Sequence, residues 1–302
     1  MTTTKITLPV SAFNKGALPK TKYESVIEFY NKATVDYAYW SKGFNMHYGY
    51  LNRWYEIFMR ERMLENMNRR VFDKLELAEQ AERVVDMGCG VGATCRALIR
   101  NRVSENAVGV NIVEEHIKMG HRLNRKEEMA EDIRLLLADY HHVPLPDECA
   151  DGVTAVESMC HSMDKKRFLK EVHRLLKPGA RFVVTDCFKR QSDDPKSALS
   201  KAAYDGFKDN WRVELADVNW MKEQLVAAGF TDINIEDARA HVAPSVMHTP
   251  HVVIRFFLGE WLKGKHIGPE NLKNIKAVLQ SIVLGLDNKT FSYFIVSAQK
   301  PQ

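Results

Sequence analysis

The 302-residue chain reads as an α/β protein built on a doubly wound, mostly parallel sheet of seven strands. Three observations predict this. Short apolar runs alternate with helical segments roughly every 20–25 residues between Arg83 and Asp186, the rhythm of a parallel sheet covered by helices on both faces. A glycine-rich turn, Gly88-Cys-Gly90-Val-Gly92, follows the first run and opens a helix. Two strand-like runs, Ile233–Ala238 and Phe291–Ala298, arrive late and complete the sheet.

In chain order, residues 1–20 have no apolar period and read as a tail, and Lys22–Asp36 has helical spacing. The stretch Tyr37–Tyr50 is rich in aromatics and punctuated by two glycines. A long amphipathic helix is expected from about Trp54 to Leu75, with Met59, Met63, Met67 and Val71 as core filler. Strands are expected at Arg83–Asp86, Ala107–Asn111, Ile133–Ala138, Gly152–Glu157 and Ala180–Asp186. Helices are expected at Cys95–Arg100, Glu114–Met129 and Asp164–Leu176, the last stopped by Lys177-Pro-Gly179. Residues 241–288 carry about two helices, His251–Lys263 and Glu270–Leu284, where a short turn would suffice. The domain plan is therefore a tail and helical cap (1–75), a core (76–240 with 289–302) and a helical lid (241–288), with an oligomer contact as the competing use of that insertion.

Forty-five per cent hydrophobic and 27% charged residues suit a globular chain with a substantial core. A net charge of +4 is too mild to argue for nucleic acid. The five cysteines form no CxxC pair, so neither a metal site nor a disulfide framework is read from them, and reduced thiols in a cytoplasmic protein are expected. There is no signal-like segment and no apolar run of membrane-spanning length. His141-His142 resembles a metal pair but precedes Pro144, and is read as a solvated turn.

Glycines at the strand–helix turn let a backbone approach a ligand closely, and the helix start offers unpaired N–H groups. A loose dinucleotide fingerprint is also satisfied. Asp86, just before the glycines, would repel a pyrophosphate yet suits an ammonium group. The pattern Asp86-x-Gly88-x-Gly90-x-Gly92, with Asn111 at the second strand end and Asp139 after the third, resembles the S-adenosylmethionine (SAM) site of class I methyltransferases with their Rossmann-like sheet. The resemblance implies cofactor contacts at these positions and at their neighbours Cys89, Ile112, His116 and Tyr140. Asn111 stands where most of that class has an acid.

Val108-Gly-Val-Asn111-Ile-Val-Glu-Glu-His116-Ile117 and Glu157-Ser-Met-Cys-His161 resemble the sterol C-methyltransferases, and Phe44-Asn-Met-His47-Tyr-Gly-Tyr50 is similar to their aromatic lead-in, which adds His47 to the cofactor set. The resemblance covers about residues 35–190, and enzymes that C-methylate prenyl diphosphates belong to the same wider group. It implies methyl transfer to carbon of a small apolar alkene. Attack by an alkene leaves a carbocation, which needs a negative or π-rich wall. Glu157 at a central strand end is the candidate stabiliser and base, with His161 and Tyr48 as further catalytic candidates. Tyr37, Tyr39, Trp40 and Tyr50 are candidate cavity-lining rings. Arg255 in the lid is a candidate for a diphosphate, which would bring Mg²⁺ held by phosphates and water, with no protein metal site. The plainer readings are a loop-orienting Glu157, a hydrogen-bonding His161, core aromatics and a solvated Arg255. N-methylation of a small amine and a non-enzymatic SAM-binding role are the alternatives. No membrane span is expected, and a homo-oligomer is compatible with the chain.

Overall fold

A computed structural model describes residues 23, 24, 26–28, 30, 40–191, 195, 197–262 and 269–302. The tail, most of the Lys22–Asp36 segment, Tyr37, Tyr39 and Lys263 lie outside the described residues.

Seven strands form one sheet in the order β3-β2-β1-β4-β5-β7-β6. They are β1 (Ala81–Met87), β2 (Ser104–Asn111), β3 (Ile133–Leu137), β4 (Ala150–Val156), β5 (Leu176–Lys189), β6 (Thr231–Asp237) and β7 (Phe291–Gln299). The first five are parallel, whereas β7 runs antiparallel between β5 and β6. The order reverses between β1 and β4, and ligands of open α/β sheets bind at such a switch point.

The helices are α1 (Arg60–Asp73), α2 (Ala93–Arg100), α3 (Glu114–Lys126), α4 (Lys165–Leu175), α5 (Ala198–Trp211), α6 (Val218–Ala227), α7 (Arg239–Val246), α8 (Thr249–Leu262) and α9 (Pro269–Leu286). Side chains alternate across a strand, so Val85, Met87, Val108 and Val110 pack with Phe168 and Val172 of α4 and Met221 of α6. Val84 and Ala107 point the other way, to Met67 and Val71 of α1, Leu98 of α2 and Ile117 of α3. A smaller cluster joins Tyr204 and Phe207 of α5 to Leu284 of α9.

Several expectations are corrected. The helix expected over Trp54–Leu75 is broken at Met59 into a 3₁₀ turn, Trp54–Phe58, and α1. The buried Glu56 carboxylate causes the break by accepting from Asn66 Nδ2 (2.8 Å) and from the backbone N–H of Arg53 (3.2 Å). Met63, Met67 and Val71 are core, while Met59 is exposed. Helix α4 agrees with the expected Asp164–Leu176 to within a residue, with Asp164 as its N-cap, and ends where the carbonyls of Arg174 and Leu175 accept from the N–H groups of Glu148 and Cys149 ahead of β4. Gly179 of the expected stop, at φ +78°, sits inside β5 instead. Helices α5, α6 and α7 were not anticipated; α5 and α6 start at side-chain caps, Ser197 and Asp217.

Candidate active site

The carboxyl ends of β1, β2, β4 and β5 open onto a cavity of about 290 Å³. Its first half is made largely of backbone. Gly88 has φ +87°, and a Cβ there would lie 2.4 Å from Ser158 Cβ. Gly90 has φ +53°, but a Cβ would meet no protein atom within 4 Å; because Gly90 lines the cavity, a side chain would occupy ligand space. This is what a close-lying cofactor requires.

Asn111 braces that loop. Its Nδ2 donates to Gly90 O (3.0 Å) and its Oδ1 accepts from the Val113 N–H (3.1 Å). A carboxylate could not donate to Gly90 O, so the amide has a reason here besides ligand contact. Nδ2 also lies 3.2 Å from His116 Nδ1. Asp86 is buried with Thr154 Oγ1 donating to it (2.9 Å), and burial pushes its carboxyl up to about 7. Such a group gains from a cationic ligand.

The second half is built of side chains. Val252, Val253 and Phe256 of α8 and Ile275 and Val278 of α9 contribute aliphatic and aromatic surface, together with Trp40 and Tyr48. Glu157 stands between the halves, at a left-handed φ of +48° that is uncommon for a non-glycine and costs about 1–3 kcal/mol. Its Oε1 accepts from the Tyr48 N–H (2.7 Å) and from Tyr293 Oη (2.8 Å), which leaves Oε2 for a ligand. Burial pushes the Glu157 carboxyl up to about 8, against the two hydrogen bonds, and nearby Asp186 adds to the rise. Asp186 itself, raised by burial to about 6, accepts from the N–H groups of Cys160 (2.9 Å) and Cys187 (2.8 Å). No Lys or Arg is among the described residues lining the cavity.

Residues 85–184 match the methyltransferase domain family. The chain carries a methyltransferase domain. Over 183 residues it is 31% identical to cycloartenol-C-24-methyltransferase of Arabidopsis thaliana, covering 59% of this chain and 52% of that one. The chain spans about half the length of the curated relatives it matches. Among solved structures, the cyclase SpnF superposes with a TM-score of 0.74 at 20% identity, covering 91% of this chain and 96% of that one. Geranyl diphosphate C-methyltransferase from Streptomyces coelicolor A3(2) superposes with a TM-score of 0.70 at 15% identity, covering 94% and 99%. Both share the fold, and since one is a cyclase the fold leaves the reaction open.

Within the methyltransferase domain and its flanks, the structure brings most of the sequence candidates together. Asp86, Gly88, Cys89, Gly90, Asn111 and Ile112 line one cavity, as do His116, Asp139, Tyr140, Glu157 and His161, with His47, Tyr48 and Trp40 contributed from the N-terminal side. Gly92 does not line it; at φ +77° it begins α2. Tyr48 meets Glu157 through its backbone N–H, while its hydroxyl donates to Ser281 Oγ (3.0 Å) on α9. His161 is bonded through Nε2 to the Tyr30 hydroxyl (2.7 Å), and burial lowers it to about 4, which favours the neutral ring near pH 7.

Two candidates are corrected. Tyr50 does not line the cavity, because its ring stacks on His241 of α7 at 4.4 Å and its hydroxyl donates to Glu236 (3.2 Å). Arg255 lies on the exposed outer side of α8, since Val252 and Phe256 take the inward positions. The turn at His141 is also not solvated: His141 is buried, with Nδ1 2.7 Å from Asp139 Oδ1 and Nε2 2.8 Å from Ser162 Oγ. His141 thereby holds the Asp139 carboxyl below its usual range despite burial. Asp186 and Tyr293 were missed. Asp186 had a signal, an acid ending a strand as Asp86 and Glu157 do; Tyr293 had none.

Proposed function

We propose that this chain is a SAM-dependent methyltransferase that adds a methyl group to carbon of an uncharged, isoprenoid-like acceptor. The observation that carries the reading is the second half of the cavity, apolar and aromatic around Glu157, with no Lys or Arg among the described lining residues. A diphosphate acceptor fits that wall poorly, because Arg255, the sequence candidate for phosphate, faces outward.

In this reading Asp86 takes the ammonium group of SAM, the backbone at Gly88 and Gly90 lies against its methionine portion, Asn111, Ile112 and His116 border the ribose, Asp139 and Tyr140 border the adenine, and His47 closes the cofactor half. SAM supplies an electrophilic methyl group on a positively charged sulfur. Helices α8 and α9 cover the acceptor and hold its double bond against the cofactor half; such positioning is worth up to ~7–11 kcal/mol. As the alkene carbon takes the methyl group, positive charge develops on the neighbouring carbon. Ionised Glu157 faces that charge, with the rings of Trp40 and Tyr48 as π surface. Oε2 then takes a proton from the adjacent carbon, whose C–H electron pair re-forms the double bond. Tyr293 and the Tyr48 N–H keep the carboxylate aimed. A positive sulfur nearby favours the ionised form of Glu157, so cofactor binding readies the base.

The test is incubation with methyl-labelled SAM and a panel of uncharged prenyl lipids, sterols, prenyl diphosphates and amines, followed by mass spectrometry. Label on carbon of an uncharged prenyl lipid or sterol is expected. Label appearing only in prenyl diphosphates, and lost with EDTA, would overturn the reading. The second reading is N-methylation of a small amine, favoured by the carboxyls of Glu157 and Asp186 beside aromatic rings, which also suit an ammonium group; label on nitrogen alone would establish it.

A further inference from the structure

Helix α8 separates two apolar environments. Val252, Val253 and Phe256 face the cavity. On the opposite side Ile254, Leu258, Trp261 and Leu262 stand exposed, Trp261 at 72% and Leu262 at 76%. Their spacing of four, three and one residues puts them on one helix face. Beside the start of α8 lies the 3₁₀ turn, joined to it by His248 Nε2 against Ile57 O (2.5 Å). That turn exposes Trp54 at 83% and Phe58 at 88%. Two neighbouring elements thus present large apolar side chains to solvent.

Their charges have one sign. Arg53, next to the turn, and Arg255 on α8 are exposed, whereas the acids of the two elements, Glu56 and Glu260, are buried. Tryptophan and leucine with arginine at their edge is the composition of a face that lies in a lipid–water interface. A two-fold contact with a second copy would oppose this patch to itself, arginine facing arginine with no exposed acid on either element. No helix among the described residues is long and apolar enough to cross a membrane, so the contact is with the surface.

We propose that the outer face of α8, with the 3₁₀ turn Trp54–Phe58, docks on the surface of an anionic lipid bilayer. Docking concerns the exterior and stands without the acceptor reading. Only the corollary, that a lipid-dissolved acceptor enters beneath α8, rests on that reading.

The test is co-sedimentation with vesicles of phosphatidylcholine alone or mixed equally with phosphatidylglycerol. Binding to the mixed vesicles, weakened by salt, is expected. Leu258→Ser with Trp261→Ser, and Trp54→Ser with Phe58→Ser, should each weaken it by about 10-fold or more, with the melting temperature and S-adenosylhomocysteine binding unchanged. Arg53→Ser with Arg255→Ser should remove the preference for phosphatidylglycerol. Absence of binding to either vesicle would overturn the proposal, as would binding that the serine variants leave intact, or self-association in lipid-free solution that they abolish. Should a serine variant not fold, Trp54→Phe with Trp261→Phe carries the test: quenching by brominated lipid in the parent must fall in this variant, and unchanged quenching overturns docking. Vesicle binding without methylation of any lipid would sink the acceptor reading and leave docking in place.

Discussion

The two halves of the cavity are built by different means. Apart from His47, the proposed cofactor half is made within residues 86–141, from glycine backbone after β1, from side chains at the ends of β2 and β3, and from short-range bonds such as Asn111 to Gly90 and His141 to Asp139. The acceptor half is assembled from side chains far apart in sequence: Trp40 and Tyr48, Glu157, Phe256 and Val278, with Tyr293 behind Glu157. Backbone placed by strand ends leaves little room for change, whereas a wall of side chains is altered one methyl group at a time. On the proposed function, the first half would hold the cofactor and the second would select the acceptor.

The sharpest way to break this contrast is at Gly90. Gly90→Val places a β-branched residue at φ +53° with its side chain in the cavity. S-adenosylhomocysteine affinity, measured by calorimetry, should fall by at least ~100-fold, since strain of about 1–3 kcal/mol adds to the lost space. Unchanged affinity would mean that the glycine loop does not cradle the cofactor.

At the junction of the halves, Glu157→Gln keeps an acceptor for the Tyr48 and Tyr293 bonds but cannot ionise. Turnover should drop about 100-fold or more, while S-adenosylhomocysteine affinity stays within a few-fold. Near-normal turnover would reduce Glu157 to a scaffold that orders Tyr48. Removing only the support, Tyr293→Phe loses one hydrogen bond of about 0.5–1.5 kcal/mol. A fall in turnover of up to ~10-fold, with the pH midpoint displaced upward, should follow; a rate and pH profile matching the parent would show that Tyr293 does not tune the carboxylate.

The glycine loop, Asn111, Asp139 and Glu157 are legible because apolar runs mark the strand ends locally and the residues at those ends resemble the methyltransferase pattern. The break at Met59 was not, because it depends on the Glu56 carboxylate turning inward to Asn66, a contact that periodicity does not register. Arg255 is a candidate from its residue type, with a solvated face as the alternative, because α8 has apolar residues on both faces and only packing decides which face turns in. Tyr50 and Tyr293 make the same point from opposite sides. Both are tyrosines in apolar surroundings; one bonds Glu236 outside the cavity and the other Glu157 behind it.

The smallest effect lies in stability. Burial raises Glu157 from 4.5 to about 8, Asp86 from 3.8 to about 7 and Asp186 from 3.8 to about 6. Each carboxyl therefore lowers stability as pH rises through its window. The buried His47, His116 and His161, lowered by burial from 6.5 to about 4, instead raise it between those values, so the net fall is expected above about pH 6.5. The melting temperature of the ligand-free protein should decline from about pH 6.5 to about pH 8, and Glu157→Gln should flatten the upper end of that decline, where Asp86 passes its midpoint near 7 and Asp186 has largely ionised. A parallel curve for the variant would mean that the carboxyl titrates as in water.

Strand β7 has a consequence for synthesis. It is the only described strand paired with β6, and it covers the open edge of β5, yet residues 291–299 emerge after the whole of α9. Until they do, the nascent chain presents the β5 edge, a template for pairing with other chains, and Glu157 lacks the Tyr293 hydroxyl. A ribosome stalled within α9 would therefore hold a chain whose glycine loop is already synthesised, but whose sheet still lacks β7 and whose Glu157 carboxylate lacks the Tyr293 hydroxyl.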